Sequence, residues 1–265
     1  MPRNGQSLPT LGLMMGLSSI STPLRPRVAI IAPTPRIREY GRRALRLLGC
    51  TPLIFLGLDE FFEIGDRANQ MSLIFLEHSS STAQGAESSV ESGDRLRAAI
   101  GDEIPVVHSV PIRTGGAIPG FRGHDMLLPG SLSFAQLCRT LRGFLQKQGM
   151  VVSDASLEWG NYRFCLDSGL VFVAGRPVVL KADEFDLALE LFFYMGSKVS
   201  RPWLKTMVPG LQALRRRATA PAADAALFRL RDLLGLQPEQ GWDLQVNPGL
   251  SCTLVRSINV IHSQG

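Results

Sequence analysis

Cysteine is scarce in this chain and never paired in sequence. Cys50, Cys138, Cys165 and Cys252 are its only four, and no C-x-x-C occurs. That spacing excludes a zinc ribbon or a dense disulfide frame and fits reduced thiols in a cytoplasmic protein. Histidine is equally thin: His78, His108, His124 and His262 show no metal-ligand spacing. Neither a glycine-rich phosphate loop nor a Ser-His-Asp order is present, so the sequence reads as a non-enzyme that calls for no metal or cofactor. Long hydrophobic runs are missing too. The apolar stretch Leu11–Leu17 in "MPRNGQSLPTLGLMMGLSSISTPLRPR" is broken by glycines, whereas a membrane span needs about 20 apolar residues and a secretory signal an uninterrupted core. Residues 1–26 therefore read as a flexible extension, with a weak secretory signal as the minor alternative and no membrane partner expected.

What is present is globular. Hydrophobic residues make up 45% and charged residues 19% of 265, enough for two compact domains, each with its own core. The formal net charge is +5, and its placement says more than its size. Residues 196–236 hold eight basic residues (Lys198, Arg201, Lys205, Arg215, Arg216, Arg217, Arg229 and Arg231) against Asp224 and Asp232, while residues 151–265 are nearly balanced. Positive charge gathered on one segment is the footprint of an anionic partner such as nucleic acid; a solvated helix surface is the plainer reading for any one arginine.

Residues 27–148 alternate short apolar runs with amphipathic stretches. "RVAIIAP" (27–33), "TPLIFLG" (51–57), "MSLIFLE" (71–77), "IPVVHSV" (104–110) and "HDMLL" (124–128) predict strands. "RIREYGRRALRLLG" (36–49) predicts a helix with a basic face, and "FAQLCRTLRGFLQKQG" (134–149) one with Phe134, Leu137, Leu141, Phe144 and Leu145 inward. Such alternation indicates a parallel sheet covered on both faces. The Ser-rich segment 78–94 reads as a long loop before a helix at about 94–101. In "RTGGAIPGFRG" (113–123), three glycines and a proline over Gly115–Gly120 make a regular helix improbable.

From residue 157 the pattern changes. "LEWGNYRFCLDSGLVFVAGRPVVL" (157–180) predicts short antiparallel strands with turns at Asp167–Gly169 and Ala174–Pro177. Helices follow over 181–196, with Phe185, Leu189, Phe192 and Phe193 on one stripe, over 200–208, with Ser200 as N-cap and Pro202 in the first turn, and over about 222–235. A hairpin over 242–256 turns at Asn247–Gly249. Strands, three helices and a terminal hairpin describe a winged helix-turn-helix.

These residues resemble the OmpR/PhoB-type response regulators. The likeness is densest over "LEWGNYRFCLDSGLVFVAGRPVVLKADEFDLALELFFYMGSKVSRPWL" (157–204), with its Gly-x-Pro-Val-x-Leu turn, Glu-Phe-x-Leu helix and Ser-Arg helix start, and in the Arg-Leu-Arg of "FRLRDLLGL" (228–236). The resemblance implies a flavodoxin-like, doubly wound α/β pseudo-receiver over 27–148, a linker over 149–156, an α+β winged helix-turn-helix domain over 157–257 and a tail over 258–265. It also implies that phosphorylation has been lost. A working receiver needs carboxylates after its first strand to hold Mg²⁺, an aspartate ending its third, and a lysine on its fifth. Here the acidic pair falls on Pro33 and Thr34, the acceptor on Glu77, the lysine on Gly130, and the switch residue near Ser109 or Val110. Glu77 is either a permanent mimic of the phosphorylated state or a solvated carboxylate left at a strand end; the missing lysine and metal favour the second. The glycine-rich segment makes the family's dimer face irregular, so a homodimer through that surface is doubtful and one through another face stays open.

In the family the third helix enters the major groove while the second helix and the wing hold phosphates. The resemblance assigns double-stranded DNA as partner, Arg229 and Arg231 as the main contacts, and Ser200, Lys205 and Arg256 as helpers. The resemblance also implies that the 209–220 loop, with Arg215, Arg216 and Arg217, faces DNA or RNA polymerase. The departures are equally visible. The recognition helix opens with "PAADAA" (221–226), Pro209 replaces an aromatic residue, and the wing tip "GLSCT" puts Thr253 where an arginine reaches the minor groove. Alanine offers no side-chain hydrogen bond to a base. Two functions compete: a phosphorylation-independent transcription regulator, and a protein-interaction module that kept the fold and lost DNA readout.

Overall fold

The computed structural model describes residues 25–78, 86–111, 118, 120–153, 156–208, 211 and 221–257. In the first half, β1 (Arg27–Ile31), β2 (Thr51–Phe55), β3 (Leu73–Glu77), β4 (Val106–Val110) and β5 (Met126–Pro129) form one parallel sheet in the order β2-β1-β3-β4-β5. That order is the flavodoxin-like one, with its switch point between β1 and β3. Successive residues of an apolar strand point to opposite faces. Val28, Ile30, Leu73 and Phe75 face one layer, which holds α1 (Pro35–Leu47) and α4 (Phe134–Lys147). Ala29, Ile31, Ile74 and Leu76 face the other, with Phe61 of α2 (Leu58–Phe62), Ala68 of a 3₁₀ turn (Gly65–Gln70), and Leu96 and Ile100 of α3 (Ala86–Ile100). Ser133 and Gln136 close a reciprocal capping box at the start of α4.

One expectation changes here, and one helix face finds a partner. The α3 helix begins at Ala86 rather than near 94; the stretch holds serines but no proline, and serine costs a helix only about 0.5 kcal/mol against alanine. The basic face of α1 is only partly solvated, with Arg46 exposed and Arg38 and Arg42 half-buried. Arg36 and Arg43 are buried, because the second half of the chain packs on that face.

The second half starts with a four-stranded antiparallel meander: β6 (Ser156–Trp159), β7 (Tyr162–Cys165), β8 (Leu170–Val173) and β9 (Arg176–Val179). Ala174 and Gly175 turn β8 into β9, both with positive φ (48° and 79°), as a two-residue type I′ turn requires. The helix α5 (Ala182–Phe193) is buried along its whole inner length, Glu184 to Phe192, including Glu184, Asp186 and Glu190. Three elements surround it: α6 (Arg201–Met207), α7 (Pro221–Leu234), and an antiparallel sheet in the order β10-β12-β11, built from β10 (Lys198–Ser200), β11 (Trp242–Asn247) and β12 (Ser251–Arg256). The aromatic residues Trp159, Tyr162, Phe164, Phe192 and Trp242 interlock at centroid distances of 5.0–5.8 Å, mostly edge-on or tilted. This is a winged helix-turn-helix, with the β11–β12 hairpin as wing and Leu227, Leu230 and Leu234 of α7 turned inward.

The two halves do not keep separate cores. One buried cluster runs from Val28 and Ile30 through Tyr40, Ala44 and Phe134 to Phe185, Leu189 and Leu254. The reason is α1, which packs Gly41 against Ile30 and Phe75 of the sheet and turns Tyr40 and Arg43 towards α5.

Candidate nucleic-acid interface

At the carboxyl end of the parallel sheet, where the resemblance locates phosphorylation, the side chains are tied to one another. Thr34, the N-cap residue of α1, donates to Glu77 twice: from its hydroxyl to Oε1 at 2.7 Å and from its backbone N–H to Oε2 at 3.1 Å. The Glu77 carboxylate thus lies at the amino end of a helix, where negative charge is favoured. It is neither a free solvated carboxylate nor one read by a lysine. Arg38 closes the β1–α1 connection by donating to the Ala32 and Pro33 carbonyls. The carbonyl of Gly130 accepts from Arg36, and its N–H donates to the Val110 carbonyl. Ser109 is buried beneath it. Among the described residues, no group of three or more His, Cys, Asp or Glu is placed to hold a metal ion.

Beside Glu77, His78 Nε2 lies 2.8 Å from His108 Nδ1 with the rings stacked. His108 Nε2 stands 3.5 Å from Asp125, a distance too long for a firm hydrogen bond. The Asp125 side chain is shielded from solvent and accepts from Arg97 and from the Val106 and Arg122 N–H groups. Burial and the neighbouring His108 lower the His78 pKa to about 4. Sequence alone gives no sign of this chain of contacts, whose members meet only across β3, β4 and the start of β5.

In the second half, α7 packs on α5 and β11 and exposes Ala225, Phe228, Arg229, Asp232 and Leu233. Arg229 is 57% exposed, yet its Nε meets Glu184 at 2.8 Å. The Arg231 guanidinium lies 5.1 Å from the Phe228 ring centroid, and its Nε is 3.6 Å from Asp232. Arg229 sits on the accessible side of α7, whereas Arg231 is half-buried with its Nε out of solvent; both are already engaged. Ser200 is the N-cap of α6, its Oγ accepting from the Trp203 N–H at 3.3 Å; Lys205 follows, half-buried, in the last turn of the same helix. The arginine of the Ser-Arg start serves the fold instead. Arg201 is buried and paired with Asp224 at the start of α7. The second Asp224 oxygen accepts from the Gly249 N–H at 3.0 Å, fastening the wing turn to α7.

Arg256 is exposed but pairs with Trp242 at the open end of the hairpin. Five residues separate it from Ser251 at the turn, roughly 17 Å along a strand, so it is remote from the wing tip. The register supplies a cation that sequence reading did not assign: Lys198 of β10, exposed, stands directly across from Thr253. Only β-pairing brings them together, although Lys198 is visible in the charge count. Arg215, Arg216 and Arg217, with most of the 209–220 loop, lie outside the described residues.

No protein-family model matches the chain, and no curated protein matches it. Solved structures similar to it include DrrB of Thermotoga maritima, an OmpR/PhoB homologue, at 16% identity over 88% of this chain and 100% of that one, with a TM-score of 0.33. The DNA-binding domain of Klebsiella pneumoniae RstA, solved in complex with RstA box, is 18% identical over 38% of this chain and 96% of its own, with a TM-score of 0.31. A member of a streptococcal family of redox sensors evolved from two-component response regulators is 13% identical over 86% and 98%, with a TM-score of 0.32. At such values the likeness carries no weight beyond the sheet orders and helix placements described above. Among the described residues, no helix is long and apolar enough to cross a membrane.

Proposed function

We propose that the chain is a DNA-binding transcription regulator that works without phosphorylation. The observation that carries this reading is the placement of α7 and the wing. Asp224 ties the two together, their outward residues are exposed, and the first half docks elsewhere, on α5 and α6. Arg229 is exposed but its partner Glu184 is buried at the start of α5, so a phosphate must compete with that carboxylate for the guanidinium. Arg229, Arg231, Lys198 and Lys205, with the Ser200 hydroxyl, form the contact set on β10, α6 and α7; Arg215, Arg216 and Arg217 extend it, and Arg256 lies at its margin. Backbone contacts dominate, because the start of α7 offers alanine to the bases. The Thr34–Glu77 tie and the residue types at Pro33 and Gly130 support independence from a phosphate signal.

A second reading, a protein-interaction module, is favoured by the exposed apolar side chains of Phe228 and Leu233 on α7. Titration of the full chain against duplexes from its own promoter region, by fluorescence anisotropy over a salt series, separates the two. The regulator shows saturable, sequence-dependent binding, and Arg229→Ala or Arg231→Ala each lowers the log–log salt slope by about 1. Binding that appears only at low salt and is equal for every duplex sinks the regulator reading and leaves the interaction module.

A further inference from the structure

The seam between the halves carries a buried polar network beside its apolar contacts. The Met207 carbonyl, in the last turn of α6, has no partner along its own helix. The first half supplies two: Tyr40 Oη donates to it at 2.8 Å and Arg36 Nε at 3.1 Å. The remaining Arg36 nitrogens donate to the Gly130 and Leu132 carbonyls at 2.6 and 2.5 Å. Two turns further along α1, Arg43 NH1 meets Glu190 at 2.5 Å, with its guanidinium 4.3 Å from the centroid of the Phe193 ring. Glu190 also accepts from Trp203 Nε1 at 3.3 Å. One neighbouring carboxylate is served less well than these groups.

That one is Asp186. It is 2% exposed, and its two oxygens share a single N–H donor, that of Phe134, at 3.1 Å each. The Tyr40 hydroxyl is 3.5 Å away and already donates to Met207. From α1 it faces Arg36 and Tyr40, from α4 the Phe134 N–H and the Cys138 thiol, and from its own helix Asp183 and Glu190. All three nitrogens of Arg36 are spent on carbonyls, so that cation lowers the charge cost without pairing with it. A buried carboxylate so poorly served is held more easily as the neutral acid, with Tyr40 Oη as the nearest acceptor for its proton.

We propose that Arg36, Tyr40, Arg43, Asp186 and Glu190 form a proton-sensitive clamp that holds the two halves together and tightens as the medium acidifies. Burial raises the Asp186 pKa from 3.8 to about 7 while the halves are docked; undocking exposes the group to water and restores its ordinary value. The docked form therefore binds a proton that the undocked form releases between about pH 4 and 7. Docking is strongest at the acid end of that window, weakens as pH rises through 7, and changes no further above it.

Amide hydrogen exchange of the full chain at pH 6 and pH 8, corrected for the intrinsic dependence of exchange on pH, reads the opening directly in peptides covering Phe134 and Met207. The opening constant is expected to be about tenfold larger at pH 8 than at pH 6. Asp186→Asn, which keeps an acceptor for the Phe134 N–H, removes that ratio. Tyr40→Phe raises opening at both pH values and preserves the ratio, so the test stands even if Asp186→Asn is too unstable to purify. Opening that is independent of pH in the wild type, or an unchanged ratio in Asp186→Asn, overturns the clamp.

Discussion

At the residue scale the chemistry of Glu77 is decided by what touches it. Thr34 supplies both of the hydrogen bonds that define its position, and no carboxylate beside it comes from Pro33 or Thr34. Acetyl phosphate should therefore leave the intact mass of the wild type unchanged. The same holds for Glu77→Asp, because a restored acceptor still lacks the metal site and the lysine; one added phosphoryl group in that variant would show that another residue completes the site. His78 supports a different test. Its pKa is lowered to about 4 when folded, against 6.5 for the free side chain. The unfolded chain thus binds a proton that the native state refuses between those values. The His78 contribution is intact above about pH 6.5 and is lost as pH falls towards 4, opposite in sign to that of Asp186. Urea midpoints of wild type and His78→Gln should converge over that interval. A constant difference at every pH would mean that the ring does not titrate there.

At the element scale, α7 and the wing depend on one carboxylate. Asp224 neutralises the buried Arg201 and holds the Gly249 N–H. Asp224→Ala leaves a guanidinium buried without its partner, which costs about 3–5 kcal/mol. Denaturation followed by tryptophan fluorescence should show the loss, and Arg201→Met in the same background should recover most of it. Equal stability of Asp224→Ala and wild type would mean that Arg201 finds water instead. The elements themselves were legible. Every strand of the parallel sheet centres on an apolar run, and the inward stripes of α4, α5 and α7 repeat at helical spacing. Elements of five or six residues, such as α2 and the 3₁₀ turn after it, are too short to show a period. Contacts between distant elements were less legible. The resemblance brought Thr34 and Glu77 to one site but not their bonds, and the Lys198–Thr253 register belongs to pairing between strands. The basic face of α1 was visible in sequence, but its counterpart, the buried Glu190 of α5, was not.

At the scale of the whole molecule, the continuous buried cluster makes a statement about cooperativity. Two domains with separate cores joined by a linker unfold in two steps when their stabilities differ. Here Tyr40, Ala44, Phe134 and Phe185 belong to one apolar body, and the polar seam over it includes the buried Arg43–Glu190 pair. Opening the seam would separate that pair and expose the apolar surface around it, which links the fate of one half to the other. Unfolding should accordingly be a single transition. All three tryptophans, Trp159, Trp203 and Trp242, lie in the second half, so their fluorescence reports that half alone, while far-UV circular dichroism reports both. The two signals should coincide in the wild type, with equal calorimetric and van't Hoff enthalpies. Arg43→Ala leaves Glu190 buried without its cation and should separate them, the tryptophan transition moving to lower denaturant while the parallel sheet persists. Coincident curves in Arg43→Ala would place the coupling in the apolar contacts of α1 with α5 rather than in the charged pair, and separate curves in the wild type would show that the seam does not couple the halves at all.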